Sequence, residues 1–520
     1  MVSQELDYFR AIIQANMEPL AKVTEVSEMA ELSARLGNHV WLKREDQQPV
    51  YSFKLRGAFN KLNKLPKGSV VITASAGNHA QGVALSASHL GHKATIVMPV
   101  TTPEIKVNAV RALGGEVVLH GHQFDAAKAY ALELTEQRNG VFVPPFDDPD
   151  VIVGQGTVAR ELMQQLNDLD VVFIPVGGGG LLAGMAVYIK SLRPDIKVIG
   201  VEANESACLK AAMEAGEPVE LERVGSFADG VAVKIIGSET FRLAQKFCDE
   251  VVTVSDDEIC AAMQDIFVST RAIAEPSGAL ATAGLKKWSQ QSGLKGLNLA
   301  AILSGANLNF DRLRYVAERT ALGEKNEALL AVTIDEKRGS FKQFCASLGG
   351  RAITEFNYRY AGPGEAQIFV GIALRQGLAE LEELKQSLTD NGYSFCDLSD
   401  NELAKLHVRY MVGGKAPEQL HERLLRFEFP EYPGALARFL DTLGSNWNIT
   451  LFHYRNHGGS TGNVLAGFAI EPSQYEMFNE HLNRLGYSVQ DETHNPCFTQ
   501  FLTTQPQAEK LEKLEKLALA

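Results

Sequence analysis

A lysine in the stretch SFKLRG offers a side chain that could react covalently. Lys54 follows an aromatic residue there and stands where the pattern predicts the start of a helix. Most lysines are solvated surface residues, but partial burial at such a position would lower the pKa of the amine and make it a usable nucleophile. Lys54 is therefore a candidate for Schiff-base formation.

A loop of small residues follows the apolar run VVIT at 70–73. The loop contains Ser75, Ala76, Gly77, Asn78 and His79. Small residues let the backbone approach a ligand closely, and the free N–H groups at the start of the following helix suit a carboxylate or a phosphate. The alternative interpretation is an ordinary strand-to-helix turn with Asn78 as its cap.

A run of glycines follows the apolar run VVFIPV at 171–176. Exposed N–H groups in such a loop can wrap a phosphate. The same segment fits the dinucleotide fingerprint Gly-x-Gly-x-x-Ala, and Glu202 ends the next predicted strand at about the distance expected for a ribose contact. The segment alone therefore does not separate NAD binding from phosphate binding. Its residues are Gly177, Gly178, Gly179, Gly180 and Leu181.

A hydroxyl closes the apolar run AAILS at 300–304. Ser304, in the stretch SGAN, could hydrogen-bond a ring nitrogen, and a tight turn is the alternative. The stretches PPFDD at 144–148 and AEPSG at 274–278 are further loops expected on the same side of the fold. Together, a nucleophilic amine, a carboxylate loop, a phosphate loop and a strand-end hydroxyl are the parts needed to hold pyridoxal phosphate and an amino acid. His120 and His122 lack a third ligand, so we predict no metal site.

These motifs lie between about residues 40 and 310, where short apolar runs alternate with helical patterns. Most runs are almost continuously apolar, which is typical of parallel strands covered on both faces. The pattern indicates an α/β fold with wound, mostly parallel sheets, in which ligands bind beyond the carboxyl ends of the strands. The predicted strands span 70–73, 94–99, 116–120, 171–176, 198–203 and 300–304.

After about residue 320 the sequence repeats itself. The stretch that begins at Gly339 resembles the stretch that begins at Gly434, with one residue inserted in the second copy. Each copy follows the order β-α-β-β-α-β of ferredoxin-like folds, so we expect two α+β subdomains. The predicted limits are 1–320 for a catalytic part of two α/β lobes, 321–326 for a connector, 327–415 and 420–495 for the subdomains, and 496–520 for a tail.

The composition argues against several partners. The chain has 50 Lys and Arg against 63 Asp and Glu, a formal net charge of −13, which disfavours nucleic acid or an anionic membrane as the main partner. The uncharged stretch 171–189 contains a proline and four glycines, so we predict strand, turn and helix there rather than a membrane span. Scattered cysteines without C-x-x-C spacing fit reduced thiols in a cytoplasmic protein.

The stretches SFKLRG, TASAGNHAQG, GGGGL and SGAN, in this order, resemble the fold-type-II pyridoxal-phosphate enzymes. Among these they are similar to the biosynthetic threonine dehydratases, also named threonine deaminases. The resemblance runs from about residue 5 to 495, because the C-terminal repeat is similar to that family's paired ACT-like regulatory domain. It implies pyridoxal phosphate as the cofactor. It also implies dehydration and deamination of L-threonine to 2-oxobutanoate and ammonia, the first committed step of isoleucine biosynthesis.

The resemblance also implies roles for the motif residues. Lys54 would bind the cofactor as a Schiff base and take the Cα proton of the substrate. Asn78 would hydrogen-bond the 3′ oxygen of the cofactor, and Ser304 would face its ring nitrogen. The glycine loop would hold the phosphate through N–H groups, and the loop at 75–79 would receive the substrate carboxylate.

For the C-terminal repeat, the resemblance implies feedback inhibition by isoleucine, with valine as a further candidate effector, and a homotetramer. The alternative is a repeat that only joins subunits. ACT-like domains bind effectors near the first strand–helix turn and at neighbouring strand edges. The candidate effector residues are Gly339, Pro433, Gly434, Ala435, Asn448 and Ile449.

Other functions remain open on the sequence. Serine dehydratases, serine racemases and β-replacement synthases share the cofactor but usually lack a paired regulatory extension. An NAD-dependent oxidoreductase would rest on the glycine run and Glu202, and would leave SFKLRG and SAGNHAQG unexplained. An amino-acid-sensing binding protein with an inactive catalytic part would have no use for Lys54, Asn78 and Ser304.

Overall fold

The computed structural model describes residues 4–225, 227–360, 364–401, 404–405, 408–411, 421–430, 435–444, 446–455, 461–495, 498 and 502. Contacts within the chain divide it into two compact units, residues 1–323 and 324–520. The finer limits of the connector, the two subdomains and the tail stay predictions. Residues 412–420 and most of the tail lie outside the described residues.

In the first unit, strands and helices alternate. The strands are β1 (Val26–Glu28), β2 (His39–Arg44), β3 (Val70–Ala74), β4 (Lys93–Met98), β5 (Glu116–Leu119), β6 (Val141–Phe142), β7 (Val171–Pro175), β8 (Lys197–Ala203), β9 (Glu250–Val254) and β10 (Asn298–Leu303). The helices are α1 (Gln4–Gln14), α2 (Ala30–Leu36), α3 (Lys54–Leu62), α4 (Asn78–Leu90), α5 (Glu104–Ala112), α6 (Phe124–Gln137), α7 (Pro149–Gln165), α8 (Gly180–Leu192), α9 (Cys208–Ala215), α10 (Ser238–Phe247), α11 (Asp256–Thr270), α12 (Pro276–Ser292) and α13 (Leu313–Gly323). Every predicted strand is present, with limits shifted by at most two residues.

The strands of the first unit form two sheets. The larger has the order β1-β2-β10-β7-β8-β9 and the smaller the order β5-β4-β3-β6. Neighbouring strands are parallel except β1 and β2, which are antiparallel. The wound, mostly parallel architecture is therefore confirmed. The chain leaves the larger sheet after β2, builds the smaller one, and returns at β7, so the two sheets meet where these crossings occur.

Strand β7 shows why its sequence is apolar throughout. Phe173 lies in the core formed with α2, α11 and α12 on one face of the sheet. Val172 and Ile174 lie in the core formed with α1, α7 and α8 on the other face. All three are fully buried. A strand covered on both faces needs apolar residues at every position, which explains the absence of alternation.

The second unit contains the two copies of the repeat. The elements of the first copy are β11 (Glu327–Asp335), α14 (Ser340–Ser347), β12 (Ile353–Arg359), β13 (Glu365–Ala373), α15 (Leu378–Asp390) and β14 (Ser394–Asp397). Those of the second are β15 (Glu422–Pro430), α16 (Ala435–Phe439), β16 (Asn448–Arg455), β17 (Thr461–Ala469), α17 (Tyr475–Leu485) and β18 (Ser488–Asp491). The predicted order β-α-β-β-α-β is confirmed in both copies. Their strands join edge to edge into one sheet of order β14-β11-β13-β12-β16-β17-β15-β18.

The uncharged stretch at 171–189 forms a strand, a turn and a helix, as predicted: strand β7, the glycine turn and most of helix α8. None of the helices in the described part of the chain combines the length and the apolar composition that crossing a bilayer requires.

A buried ion-pair network holds helix α3, which carries Lys54 at its start. Arg56, fully buried, donates to both carboxylate oxygens of Glu45 at 2.7 and 2.8 Å. It also donates to both oxygens of Glu161 at 2.6 and 2.8 Å, and Lys43 donates to Glu161 at 2.7 Å. Burial by itself would raise the pKa of Glu45, but Arg56 outweighs that effect and lowers it. Two cations and two carboxylates thus neutralise each other in the interior.

Replacing Arg56 by Met should lower the free energy of unfolding by about 3–5 kcal/mol, because Glu45 and Glu161 would lose their shared partner while remaining buried. Urea unfolding of the ligand-free chain measures the loss. Lys64→Met is the matched control, since Lys64 and Asp150 form an ion pair whose side chains are 49% and 36% exposed. There we expect a loss of about 1 kcal/mol or less. Equal losses in the two variants would contradict the role given to the network.

Candidate active site

Backbone contacts hold Lys54 beside the carboxyl end of β10. Helix α3 begins at Lys54, as the sequence predicts. The residues just before it pair with those just after β10, because Ser52 forms an antiparallel bridge with Gly305. The N–H of Phe53 donates to the carbonyl of Ser304 at 3.2 Å. Lys54 and Ser304, far apart in the sequence, therefore lie in one cluster of loops.

The amine of Lys54 has the surroundings of a nucleophile. Its Nζ donates to the carbonyl oxygen of Pro145 at 3.3 Å and lies 5.3 Å from the ring centroid of Phe53. Burial lowers the pKa of the amine to about 8, and the carboxylate of Glu275 opposes this shift. Much more of the amine is therefore unprotonated near neutral pH than in a solvated lysine.

The glycine loop joins β7 to α8. Gly179 has a φ of +89°, a conformation that favours glycine, and a Cβ at Gly178 would lie 2.2 Å from the ring of Phe146. Helix α8 begins at Gly180, so the first N–H groups of the helix have no partner within it. Leu181 is buried in the first turn. The loop can thus bring backbone N–H groups close to an anion such as a phosphate.

Two N–H groups of the loop at 75–79 are already hydrogen-bonded within the protein. The N–H of Ser75 donates to the carbonyl of Val97 at 3.2 Å, and the N–H of Gly77 donates to the hydroxyl oxygen of Ser75 at 3.3 Å. Helix α4 begins at Asn78, so its first N–H groups lack a partner within the helix. A carboxylate at this loop would therefore be bound mainly by the first turn of α4 and by Ala76. That assignment stays a prediction.

The ring of His79 is buried, and one of its nitrogens is already hydrogen-bonded within the protein. Its Nε2 lies 3.0 Å from the carbonyl oxygen of Val143, so this nitrogen carries the proton. Burial, followed by the charge of Lys54, lowers the pKa of the ring to about 3. The ring is therefore neutral, and His79 can offer a carboxylate its backbone N–H but no positive charge.

Asn78 lies at the centre of a chain of side-chain hydrogen bonds. Its Oδ1 accepts from Nδ2 of Asn307 at 2.7 Å, and its own Nδ2 donates to Oε1 of Glu275 at 2.6 Å. An amide nitrogen has two hydrogens, so one remains for a ligand oxygen. The motifs AGNH, AEPSG and SGAN, which are separate in the sequence, are joined through this one side chain.

The hydroxyl of Ser304 is buried and donates to the carbonyl of Ser277 at 3.2 Å. Its lone pairs are not used by this bond, and a hydroxyl can rotate to suit a new partner. Ser304 therefore can serve a ring nitrogen in the way the sequence predicts, by changing the direction of its hydrogen.

Glu275 is the charged residue that sequence reasoning missed. The stretch AEPSG was expected on this side of the fold, but its acid was not singled out. In the structure, Glu275 precedes α12 without capping it by a side-chain hydrogen bond. Its carboxylate contacts Asn78 instead. The one signal in the sequence was its position in a loop next to the other motifs.

The stretch PPFDD divides between the site and the scaffold. Pro145 contacts the amine of Lys54, and Phe146 lies against Gly178. Asp147 accepts from three N–H groups at the start of α10. Asp148 accepts from two N–H groups at the start of α7. The two aspartates are helix caps.

Glu202 does not support dinucleotide binding. It is fully buried, and its carboxylate accepts from the N–H groups of Leu209 at 2.7 Å and Lys210 at 2.9 Å, at the start of α9. Burial raises its pKa to about 7. Because both oxygens are engaged in the interior, they are unavailable to a ribose hydroxyl, and this corrects the NAD alternative.

Across the described ranges, no group of three or more His, Cys, Asp and Glu side chains could hold a metal ion. His120 stacks on Tyr130 with ring centroids 4.0 Å apart.

In the second unit, three of the six candidate effector residues line one pocket. Gly339 comes from the first turn of the first copy, and Asn448 and Ile449 begin β16 in the second copy. Ala435 is buried, and its carbonyl accepts from the hydroxyl of Tyr487 at 3.0 Å. Pro433 and Gly434 lie outside the described residues.

The same pocket contains polar atoms that lack partners. Oε2 of Glu336, the hydroxyl of Ser340 and the indole N–H of Trp447 line it and are buried without a hydrogen bond within the described part of the chain. The other oxygen of Glu336 accepts from the hydroxyl of Tyr358 at 2.5 Å. Burial raises the pKa of Glu336. Unpaired buried polar groups cost free energy, so this arrangement favours a polar ligand.

Two protein families match the chain. The family described as pyridoxal-phosphate dependent enzyme matches residues 17–305. The family described as the C-terminal regulatory domain of threonine dehydratase matches twice, at 318–408 and 413–502. The second family therefore coincides with the two copies of the repeat.

The chain is similar to known proteins over almost its whole length. The biosynthetic L-threonine dehydratase IlvA of Escherichia coli is 60% identical over 499 residues, 95% of this chain and 97% of the relative. The mitochondrial threonine dehydratase of Saccharomyces cerevisiae is 47% identical over 514 residues, 95% of this chain and 89% of the relative. Among solved structures, the processed form of threonine deaminase isoform 2 from Solanum lycopersicum has a TM-score of 0.61 at 46% identity. The match covers 62% of this chain and 90% of the tomato chain.

Proposed function

Because the chain belongs to the pyridoxal-phosphate dependent threonine dehydratases with a C-terminal regulatory domain, we propose that the cleft around Lys54 is its active site. The enzyme dehydrates and deaminates L-threonine to 2-oxobutanoate and ammonia, and its cofactor is pyridoxal phosphate. The observation that carries the site assignment is a set of contacts around Lys54: SFKLRG pairs with SGAN, SGAN bonds AGNH, and PPFDD lies between Lys54 and the glycine loop.

The residues of the cleft fit the cofactor. A Cβ at Gly178 would overlap Phe146, so glycine lets the loop pack against that ring. The first N–H groups of α8, which have no side-chain cap, are then donors for a phosphate. When bound, the cofactor supplies an aldehyde that combines with amines and a ring that accepts electrons from the substrate Cα. The residues proposed to hold it are Lys54, Asn78, Gly177, Gly178, Gly179, Gly180, Leu181 and Ser304.

Lys54 would perform two tasks. Its amine would hold the cofactor covalently before substrate arrives, and the same amine, once free, would take the Cα proton of L-threonine. A pKa of about 8 suits both tasks, because a group that titrates near the working pH can both accept and return a proton.

Ser304 would favour elimination over transamination. A neutral hydroxyl cannot hold a full positive charge on the ring nitrogen, whereas a carboxylate could. A neutral Ser304 would thereby favour loss of the β-hydroxyl of the substrate as water over the proton transfer to the cofactor that transamination requires.

We propose that the pocket in the second unit binds isoleucine, with valine as a further candidate. Glu336 offers a carboxylate to the ammonium group of an amino acid. The hydroxyl of Ser340 and the N–H of Trp447 are donors for its carboxylate. Ile334, Leu440 and Ile449 line the same pocket and suit a branched apolar side chain.

We also propose a cytoplasmic location. The cysteines in the described ranges carry no disulfide, as is usual for thiols in a reducing compartment. Cell fractionation is the test, and recovery of the enzyme in a membrane or extracellular fraction would refute the proposal.

The purified enzyme should form 2-oxobutanoate from L-threonine, and Lys54→Ala should slow this by about 10³-fold or more, since covalent attachment and proton transfer would both be lost. Lys64→Ala is the control, because Lys64 lies just after the same helix in an exposed ion pair. Assays with L-serine, including a chiral assay for D-serine, run beside it. Racemisation as the main reaction would contradict the proposal.

Glu336→Gln should raise the isoleucine concentration for half-maximal inhibition by about tenfold or more, since it removes the charge that would pair with the ammonium group. Calorimetric titration of the variant with isoleucine measures the same loss directly. Glu365→Gln is the matched control, because Glu365 is an exposed glutamate of the same copy. If both variants respond to isoleucine like the wild type, the pocket is not the effector site.

The enzyme should assemble into a homotetramer, as is common for allosteric enzymes with closed symmetry. Sedimentation equilibrium should give the mass of four chains of 56.7 kDa. A stable mass of one or two chains over the working concentration range would refute this.

A further inference from the structure

A buried carboxylate to which the sequence analysis gave no role lies beside the proposed active site. Glu275 is 5% exposed, and its N–H donates to the carbonyl of Gly305 at 3.2 Å. Its Oε1 accepts from Nδ2 of Asn78 at 2.6 Å. The carboxylate therefore touches the side chain proposed to contact the cofactor, and its backbone touches the loop that carries Ser304.

One glycine leaves room for this carboxylate, and a second leaves room for the nearby hydroxyl of Ser277. A Cβ at Gly305 would lie 2.4 Å from Oε1 of Glu275 and 3.2 Å from Nδ2 of Asn78. A Cβ at Gly230 would lie 2.4 Å from the hydroxyl oxygen of Ser277 and 3.6 Å from Oε1 of Glu275. The glycine of SGAN is thus explained by the side-chain pair that fills the space in front of it.

We propose that Glu275 is a positioning residue of the active site, which orients the amide of Asn78 and places a buried negative charge in the loop cluster that contains Lys54. This inference rests on the proposed function, because it concerns the same cleft.

The orientation follows from the hydrogen bonds. Asn307 fixes the oxygen of the Asn78 amide, because a side-chain amide N–H can only donate. Glu275 takes one hydrogen of the amide nitrogen. The amide can then neither flip nor rotate freely, and its second hydrogen has a fixed direction. A ligand oxygen such as the 3′ oxygen of the cofactor would meet a donor that is already oriented.

Gly305 joins the carboxylate to the segment of Lys54: it forms the bridge with Ser52, two residues before Lys54, and its carbonyl accepts from the N–H of Glu275. Burial lowers the pKa of Lys54 and Glu275 raises it. Burial, and then Asp229, raise the pKa of Glu275 itself to about 7, while Asn78, Lys106 and Ser277 lower it. Lys54 on α3, Lys106 on α5 and Asp229 are thus the charged groups that face this carboxyl. Above pH 7 it is mainly ionised, and its effect on Lys54 is then greatest.

The test follows the capture of pyridoxal phosphate by the ligand-free full chain. The rate is measured by absorbance as a function of pH in wild type, Glu275→Gln and Glu275→Ala, with Lys54→Ala as the blank. The midpoint of the pH profile reports the protonation of Lys54. Glu202→Gln is the matched control, because Glu202 is also a buried glutamate whose pKa is raised to about 7. Equilibrium affinity for pyridoxal phosphate is measured in parallel.

In Glu275→Gln the midpoint should move to lower pH by about one unit, because the loss of a nearby negative charge disfavours the cationic amine. In Glu202→Gln it should not move. Glu275→Ala should also weaken the affinity about tenfold, since Asn78 loses its acceptor. Glu275→Gln keeps an oxygen there and should stay within about threefold.

An unmoved midpoint in Glu275→Gln, or an equal shift in Glu202→Gln, would overturn the charge role. An affinity loss in Glu275→Gln as large as in Glu275→Ala would overturn the orienting role. If Glu275→Gln does not fold, Asn307→Ala tests the amide from its other side. It should weaken affinity about tenfold and leave the midpoint in place, because no charge is removed. Wild type that captures no cofactor through Lys54 would instead refute the proposed function itself.

Discussion

The position of Lys54 depends on the guanidinium of Arg56, two residues further along the same helix. Arg56 donates to Glu45, which follows β2, to Glu161 in α7, and to the carbonyl of Lys22 at 3.1 Å. Charges buried this deeply carry a large desolvation penalty unless each has a partner. The network supplies those partners in only one arrangement of α3 against α7. Lys54 therefore lies at the start of a helix whose place is set by polar contacts as much as by apolar packing.

The close approach of α3 and α7 that the network requires explains two glycines. A Cβ at Gly154 would lie 2.4 Å from the carbonyl oxygen of Arg56, and a Cβ at Gly57 would lie 2.4 Å from Nε2 of Gln155. At both positions glycine lets the two helices pack closely, because no side chain stands between them. Glycine has the same effect at Gly178 and Gly305, where it leaves space for the ring of Phe146 and for the carboxylate of Glu275. Glycine in this fold marks close approach at both structural and functional positions.

Sequence patterns predicted the parts of the site that local order determines. A lysine at a helix start, a glycine loop after β7 and a hydroxyl after β10 each follow from the residues next to them. The contacts that join these parts cannot be read from neighbouring residues in the sequence. Nδ2 of Asn78 and Oε1 of Glu275 are 2.6 Å apart, but Asn78 begins α4 and Glu275 precedes α12, and neither stretch of sequence indicates the other as its partner. Glu202 entered only through the NAD alternative, and the sequence made no prediction for the ring of His79; in the structure, backbone groups engage both side chains. The edge-to-edge pairing of β12 with β16 was likewise not predictable, because each copy has several strand edges that could pair.

That pairing determines the composition of the pocket in the second unit. Because β12 and β16 run antiparallel as neighbours, the first turn of one copy lies near the start of a strand in the other. Glu336 and Ser340 come from the first copy and Trp447 from the second. An amino acid bound by all three would contact both copies, so its binding free energy would depend on how the copies are placed relative to each other. An effector can shift a conformational equilibrium only through such differential binding. A pocket built within a single copy would bind equally well in either placement, so a paired repeat with a shared sheet meets a requirement that one copy alone would not.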